Sequence, residues 1–596
     1  MDTNKNELYC FAKRYIFILI VAILFPLSPG YPQDSGQTTV SSTPQPISEQ
    51  NVLDMPKELI EPSNPLKENE ELNLQREISI DLIDLESLRK ATEERRGTNA
   101  VLRMSLKECI ETALTQNPDI IVSGLEPKKA QADQLTASGM FDPFWQTTAQ
   151  YNYASIIASQ EIQAYARINS VETHQTLIDT SVGGKLKLGT QYAITFNSTI
   201  EETSFSDFTK DYAGRMLFTL TQPLLKGFGI KVNTVNIEMA KKSEKAGEAK
   251  LKITVMNTVA EVIKAYWDLV GAMENIKVRE ESLANAERLL SISEKRREIG
   301  TAADIEVLQA KAGVATRQSE LVAAQAQLES ASDILKNLLL MREGDLFSKV
   351  LIVPTDRPHS FENESFDVSK LAPNVDESVD KAIKNRPEIA MANLQIDIAD
   401  LQVMQARNEM LPQLDIVGSY GQGGRDRSVS KMFYGIRDDD ETYYTYGIKA
   451  TVPIGNRAGR GAFQRARITK REMEEQKKKI EQTVMMGVHL AVRNVETNRI
   501  LVESNRQARK LQEANVIAEE KRLKLGVSTS WRVLQVQTDY TMAKTMELQS
   551  HISYEKALTD LYLAEGTILD NMDIEIKTPD TEVPISYGES IKPHWE

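Results

Sequence analysis

The sequence predicts a mainly α-helical protein that also carries a transmembrane β-barrel, with two tandem structural repeats per chain. Three observations lead there. Two proline-free stretches of nearly 70 residues have helical spacing, short alternating strands precede each of them, and no stretch after residue 30 is long and apolar enough for a membrane helix. A chain that enters a membrane without such a helix must do so as a closed barrel, because every backbone N–H and C=O needs a partner in lipid.

The N-terminus comes first. Lys13 and Arg14 precede an apolar run from Tyr15 to Leu27, and Ser28-Pro29-Gly30 follows as a small-residue exit. That is the make-up of a secretory signal over 1–30, too short for a comfortable span of roughly 20 residues. An uncleaved anchor is the alternative reading. Residues 31–100 are rich in Ser, Thr, Pro, Gln and Glu, so they bury too little apolar surface to offset chain entropy and read as a flexible extension. Order is expected from about Met104.

The chain then repeats itself. Ala113-Leu114-Thr115-Gln116-Asn117-Pro118-Asp119 matches Ala382-Ile383-Lys384-Asn385-Arg386-Pro387-Glu388, and Phe141-Asp142-Pro143 matches Leu411-Pro412-Gln413 through its proline. Both proline pairs lie 269 residues apart. Gln222-Pro223-Leu224 and Val452-Pro453-Ile454 are offset by 230, and Lys295–Gly300 and Lys521–Gly526 by 226. Val307-Leu308-Gln309 and Val533-Leu534-Gln535 keep that 226. These landmarks in one order define repeat 1 over 101–341 and repeat 2 over 377–567, with a linker at 342–376 and a tail at 568–596. The falling offset places about 39 additional residues between Pro143 and Pro223.

Each repeat opens with a helix and continues into strands. Trp145, Thr147, Ala149, Tyr151 and Tyr153 alternate with polar residues, as do Tyr192, Ile194 and Phe196, then Tyr212 to Leu220, and in the second repeat Leu414 to Tyr420 and Tyr444 to Val452. Such alternation suits a barrel strand with a lipid face and a water face. A soluble antiparallel sheet alternates in the same way. Val182–Leu188 and Gln191–Ile200, joined by Gly189-Thr190, form one further hairpin, which belongs either to the barrel or to a flap beside it.

The helices decide between the two sheets. From about Lys231 to Gly300 and from about Arg460 to Gly526 there is no proline, which allows helices of roughly 100 Å. Val255, Val259, Val262, Tyr266, Leu269, Met273 and Ile276 make a heptad seam, and Met485, Val488, Val492 and Val495 continue that rhythm in the second repeat. The remaining faces are polar. Gly300 and Gly526 stop the helices, and return helices are expected over about 302–341 and 528–566. Water-facing coiled-coil hairpins joined to lipid-spanning strands imply a hollow helical tube beneath a barrel.

With these elements the chain resembles the TolC family of outer-membrane factors over roughly residues 101–567. The resemblance rests on Ala113-Leu114-x-x-Asn117-Pro118, Gln222-Pro223-Leu224-Leu225, Ala265-Tyr266-Trp267-Asp268-Leu269 and the two tip turns. It implies a homotrimer in the outer membrane, in which each protomer gives strands to one barrel and helices to one periplasmic tube. It also implies a passive efflux or type I secretion duct that takes cargo from an inner-membrane transporter through a periplasmic adaptor. The adaptor-docking tips would be Arg297, Gly300 and Thr301, and Arg522, Gly526, Val527 and Ser528.

At the entrance, where family members carry aspartates, this chain has Arg532 and Gln535, with Glu306 and Gln309 in the first repeat. The expectation is an Arg532–Glu306 network or a cationic constriction in place of an acidic gate. A periplasmic adaptor and an envelope coiled-coil protein are the rival readings. The first needs only one hairpin, and the second needs no aromatic strands.

Composition fits this reading. A net charge of −14 argues against a nucleic-acid binder, which needs surplus Lys and Arg. Of the two cysteines only Cys109 lies outside the leader, so neither a disulfide nor a Cys zinc site is expected. Cys109 reads as a small buried apolar residue on an amphipathic helix. The five histidines are scattered, no nucleophile or phosphate-loop pattern appears in context, and no cofactor, metal or catalytic residue is expected. Gly421-Gln422-Gly423-Gly424 reads as a loop outside the barrel, and Asp438-Asp439-Asp440-Glu441 as a solvated loop.

Overall fold

A computed structural model describes residues 100–161, 163, 169–340, 350–358, 374–438 and 441–574. The leader, nearly all of the 31–100 extension, most of the linker and the tail beyond residue 574 lie outside the described residues.

The elements run in one order. They are β1 (Ala100–Met104), α1 (Leu106–Gln116), α2 (Pro118–Ser138), β2 (Phe144–Ile157), β3 (Ser170–Lys185), β4 (Gln191–Thr203), β5 (Asp211–Pro223), α3 (Val235–Glu298) and α4 (Asp304–Leu338). Then come β6 (Val350–Pro354), α5 (Val375–Asn385), α6 (Pro387–Glu409), β7 (Gln413–Asp426), α7 (Val429–Arg437), β8 (Glu441–Thr451), α8 (Arg457–Lys524) and α9 (Ser530–Glu565). The succession of two short helices, strands, long helix and return helix therefore occurs twice.

The matched prolines have a local reason. Pro118 and Pro387 each open a helix at its first turn, where the missing N–H costs nothing. The residue ahead of each proline ties back to the end of the return helix. Asn117 donates to the Leu338 carbonyl at 3.1 Å, and Arg386 donates to the Leu563 carbonyl at 3.0 Å.

The long helices hold 64 and 68 residues, roughly 100 Å each at 1.5 Å per residue. Val255, Val259, Val262, Tyr266 and Leu269 of the expected seam are fully buried, whereas Met485 is half-buried and Val484 takes its place in the second seam.

Six strands form one antiparallel sheet in the order β2-β3-β4-β5-β7-β8. The additional hairpin is therefore part of this sheet, as β3 and β4. Its N-terminal half, Ser170 to Asp179, carries only Val171, Leu177 and Ile178 as apolar residues and lies outside the hairpin bounds read from the sequence. One residue row crosses all six strands through Trp145, Val182, Ile194, Phe218, Tyr420 and Tyr444, every one of them exposed. On the opposite face a row reads Thr148, Asp179, Asn197, Arg215, Gly423 and Glu441. One face is apolar and the other polar, the division expected of a barrel wall.

Gly421–Gly424 corrects the loop expectation, because it lies inside β7. Glycine serves there because neighbours crowd both faces. A side chain at 421 would strike Leu217, one at 423 would strike Tyr443, and one at 424 would strike the backbone of α7. Of the expected acidic loop, Asp438 follows α7 and pairs with Arg437, Glu441 begins β8, and residues 439–440 lie outside the described residues.

Midway along the helices the described part of the linker makes an unforeseen element. β6 pairs in parallel with β1, and both rest on the buried middle of α3. The Tyr266 hydroxyl donates to Asp356 Oδ2 at 3.0 Å and accepts from the Asp356 N–H at 3.1 Å. The same Oδ2 accepts from the Leu106 N–H at 2.7 Å, at the start of α1. Burial pushes the Tyr266 phenol well above its usual range. Cys109 lies in this core, fully buried, its thiol pushed up to about 12 by burial, so it is no reactive thiolate.

Candidate functional site: the paired helical tips

The sequence marks the tips by two glycines, and the structure gives both the same construction. α3 ends with Gly300 at φ +73°, and α8 ends with Gly526 at φ +77°, a conformation that costs other residues energy. The Gly300 N–H donates to the Arg297 carbonyl at 2.9 Å and the Thr301 N–H to the Arg296 carbonyl at 2.8 Å. The Gly526 N–H donates to the Leu523 carbonyl and the Val527 N–H to the Arg522 carbonyl, both at 3.0 Å. Each is the paired-bond stop that satisfies carbonyls left over at a helix end. Lys295, Arg296 and Arg297 in one last turn, and Lys521, Arg522 and Lys524 in the other, oppose the negative end of the helix dipole.

The turns then diverge in detail. Thr301 caps its own helix through Oγ1 to the Arg296 carbonyl at 3.0 Å. Ser528 instead donates to Glu519, which also takes Arg522 at 3.3 Å. α9 has a side-chain N-cap in Thr529, whereas α4 begins at Ala303 without one.

The tips do not stand apart. Leu289 of α3, Leu523 of α8 and Val533 and Leu534 of α9 form one buried apolar cluster. Beside it runs a polar chain linking the two hairpins. Ser293 and Ser530 bond hydroxyl to hydroxyl at 3.0 Å, Ser530 reaches Glu306 Oε2 at 3.1 Å, and Arg296 closes the chain onto Glu306 at 3.6 Å. Ser293 and Ser530 are fully buried and were not foreseen. Their signal was the placement of a small polar residue where the seam otherwise calls for an apolar one. On the other side Ile292, Leu523 and Val533 line a groove of about 500 Å³, flanked by Arg288, Arg296 and Lys524.

The entrance residues separate. Within one chain Glu306 is engaged by Arg296 and Ser530. Arg296 lies one helical turn before Gly300 on α3, the neighbouring helix of the same hairpin, whereas Arg532 is exposed on α9. Its backbone N–H is held by Thr529 Oγ1 at 3.4 Å. Gln535 is exposed and bonds Asp539 at 3.4 Å, and Gln309 is half-buried.

Further from the tips, Arg317 of α4 is buried against α9, donating to Thr538 Oγ1 at 2.8 Å and the Gly313 carbonyl at 3.2 Å. Burial holds its pKa below the usual value. His551 of α9 is buried too, its pKa pulled down to about 4 by burial and by Arg506. Among the described residues no helix is long and apolar enough to cross a membrane, and no cluster of His, Cys, Asp and Glu is arranged to hold a metal.

Comparisons with known proteins agree with this architecture. The outer membrane efflux protein family matches residues 185–339 and 378–567. The pyoverdine export outer membrane protein OpmQ of Pseudomonas putida is 23% identical over 323 residues, which is 53% of this chain and 62% of that protein. The outer membrane protein TolC of Vibrio cholerae is 22% identical over 220 residues, 37% of this chain and 47% of that one. The match thus spans about half to three-fifths of these curated relatives. Among solved structures, the CmeC outer membrane channel of Campylobacter jejuni aligns with a TM-score of 0.56 at 16% identity, covering 78% of this chain and 86% of that one. The outer membrane protein VceC of Vibrio cholerae aligns at 0.54 and 16%, covering 77% and 96%. The fold is that of the outer-membrane channels, and the chain belongs to the outer membrane efflux protein family, the TolC-like proteins of the bacterial outer membrane.

Proposed function

We propose that this chain is one third of a passive outer-membrane exit duct for efflux or secretion. The observation that carries it is the six-stranded sheet, apolar on one face and polar on the other, joined to two hairpins of long helices. Among the described residues β2 pairs only with β3 and β8 only with β7, so each leaves one edge open within the chain. Open edges invite pairing, and three copies would close them into one barrel of about eighteen strands with no edge left. The apolar face then meets lipid and the polar face lines the lumen. The two tandem repeats, through the tip, would set six hairpins side by side in a periplasmic tube.

The tips, at Arg297, Gly300, Thr301, Arg522, Gly526, Val527 and Ser528, would receive a periplasmic adaptor that links the duct to an inner-membrane transporter. The groove between them has an apolar floor and a rim where Arg288, Arg296 and Lys524 outnumber Glu520, suited to an apolar residue with acidic neighbours on the adaptor. Glu306, Gln309, Arg532 and Gln535 would stand at the entrance, with Arg532 making it cationic where three copies converge.

Reconstitution tests the proposal. The purified protein should run as a heat-sensitive trimer and give single channels in planar bilayers, and Arg532→Ala should raise the leak conductance about twofold or more as a barrier to cations is removed. A monomer without conductance would exclude the duct, and an unchanged Arg532→Ala leak would exclude the cationic entrance.

A further inference from the structure

The connection from β7 to β8 lies at the end of the sheet remote from the long helices, because β7 leaves α6 and β8 returns to α8. It holds α7, and the placement of α7 is unusual for a loop helix. The helix lies flat on the apolar face of the sheet. Met432 and Ile436 sit over Gly214, the backbone of α7 covers Gly424, and the Phe433 ring stacks on Phe196 at 5.6 Å and 13°. Gly214 and Gly424 are register partners on β5 and β7, so two adjacent strands lack side chains just where the helix rests.

The helix does not bury all its apolar surface there. Phe433 and Tyr434 remain 51% and 57% exposed. Lys431 and Arg437 are exposed too, with Arg437 over the Tyr434 ring at 5.2 Å and paired with Asp438 at 3.0 Å. A helix facing only water would not keep two large rings outward, and one deep in hydrocarbon would not carry Lys, Arg and Ser beside them. Aromatic rings among cations belong at the level of lipid headgroups.

We propose that α7 is an interfacial anchor: it lies along the outside of the barrel at the outer edge of the apolar band and binds phosphate-bearing lipid headgroups through Lys431 and Arg437. The apolar rows end about there, and Tyr151, Tyr153 and Tyr212 lie at the same end of their strands. The seat fixes the depth of the barrel in the membrane, because the helix can neither rise without uncovering Gly214 and Gly424 nor sink without burying its charges. This inference rests on the duct reading, since it takes the apolar face to be the lipid face.

A depth measurement tests it. In full-length protein with Cys10→Ser, a Ser430→Cys substitution carries an environment-sensitive fluorophore, and the fully buried Cys109 stays unlabelled. The protein is reconstituted in phosphatidylcholine vesicles with and without phosphatidylglycerol, with a nitroxide on the headgroup or at mid-chain. The headgroup nitroxide should quench most strongly, phosphatidylglycerol should raise that quenching about twofold, and Lys431→Gln with Arg437→Gln should abolish the rise. Quenching by aqueous iodide alone, or a stronger effect of the mid-chain nitroxide, would overturn the anchor. Conductance in the same vesicles separates the two readings. Conducting vesicles with a water-exposed label defeat the anchor only, and protein that neither inserts nor conducts defeats the duct and the anchor together.

Discussion

The two helical hairpins end alike, while the two strand segments do not. At the tips, Gly300 and Gly526 carry nearly the same φ and the same pair of backbone hydrogen bonds. In the sheet, the first segment gives four strands and the second gives two. The difference follows from what each region must satisfy. A coiled-coil hairpin has to keep its seam in step with its neighbours over roughly 100 Å, so an insertion in one copy would throw every later contact out of register. An antiparallel sheet grows by one hairpin at a time and needs only that strand direction still alternates. β3 and β4 meet that rule. Their turn even finds a seat beside the start of α3, where the Gly229 N–H donates to the Leu188 carbonyl at 3.1 Å.

Three experiments press on this comparison. The return helices differ in how they titrate. α9 buries His551, whereas the position 226 residues earlier in α4 is the exposed Gln325. The folded-state pKa of His551, about 4, lies below its ordinary 6.5, so the unfolded chain binds more protons between those values. Stability from this site is complete above pH 6.5 and is lost as pH falls toward 4, by roughly 3 kcal/mol. Hydrogen exchange should show α8 and α9 opening in acid before α3 and α4, and His551→Phe should remove that order. Equal opening of both hairpins in the wild type would contradict it.

Replacing either tip glycine by valine should cost about 1–2 kcal/mol locally, since a β-branched residue resists positive φ. Adaptor crosslinking should drop for both variants. A loss confined to Gly526→Val would break the equivalence of the tips. Smallest is Ser530→Ala, which removes the hydroxyl bridging Ser293 and Glu306 at a cost of about 1 kcal/mol. The hairpins should then part more readily at their ends, seen as a higher open probability in bilayers. An unaltered open probability would show that the apolar cluster alone holds them.

Periodicity made the helices legible, because a seam repeated over many turns leaves its mark on every turn. The tips were legible for the same reason that they are alike, since a glycine at the end of a long pattern has few other uses. The sheet was harder. Ser170 to Asp179 hides a strand because its three apolar residues, Val171, Leu177 and Ile178, do not alternate on one face, and Gly421–Gly424 looked like a loop because crowding by Leu217, Tyr443 and α7 is not visible in one segment alone. The Ser293–Ser530–Glu306 chain escaped for a related reason. Its members are 224 and 237 residues apart, and only the packing of α3 and α4 against α9 brings them together.

The carboxylate of Asp356 has a bearing on the order in which the chain assembles. It joins the first helical turn of α1 to the middle of α3 across 250 residues and 90 residues of chain. The helical hairpins and the β2-β3-β4-β5 run close short loops and are quick to form, whereas a contact of this separation, like the pairing of β5 with β7, waits on the entropy of a long closure. The belt around Tyr266 is therefore a late step of folding within one chain, together with the pairing of β5 with β7 and the docking of α9 on α3. Until it closes, both hairpins can be complete while the protomer still lacks a fixed middle.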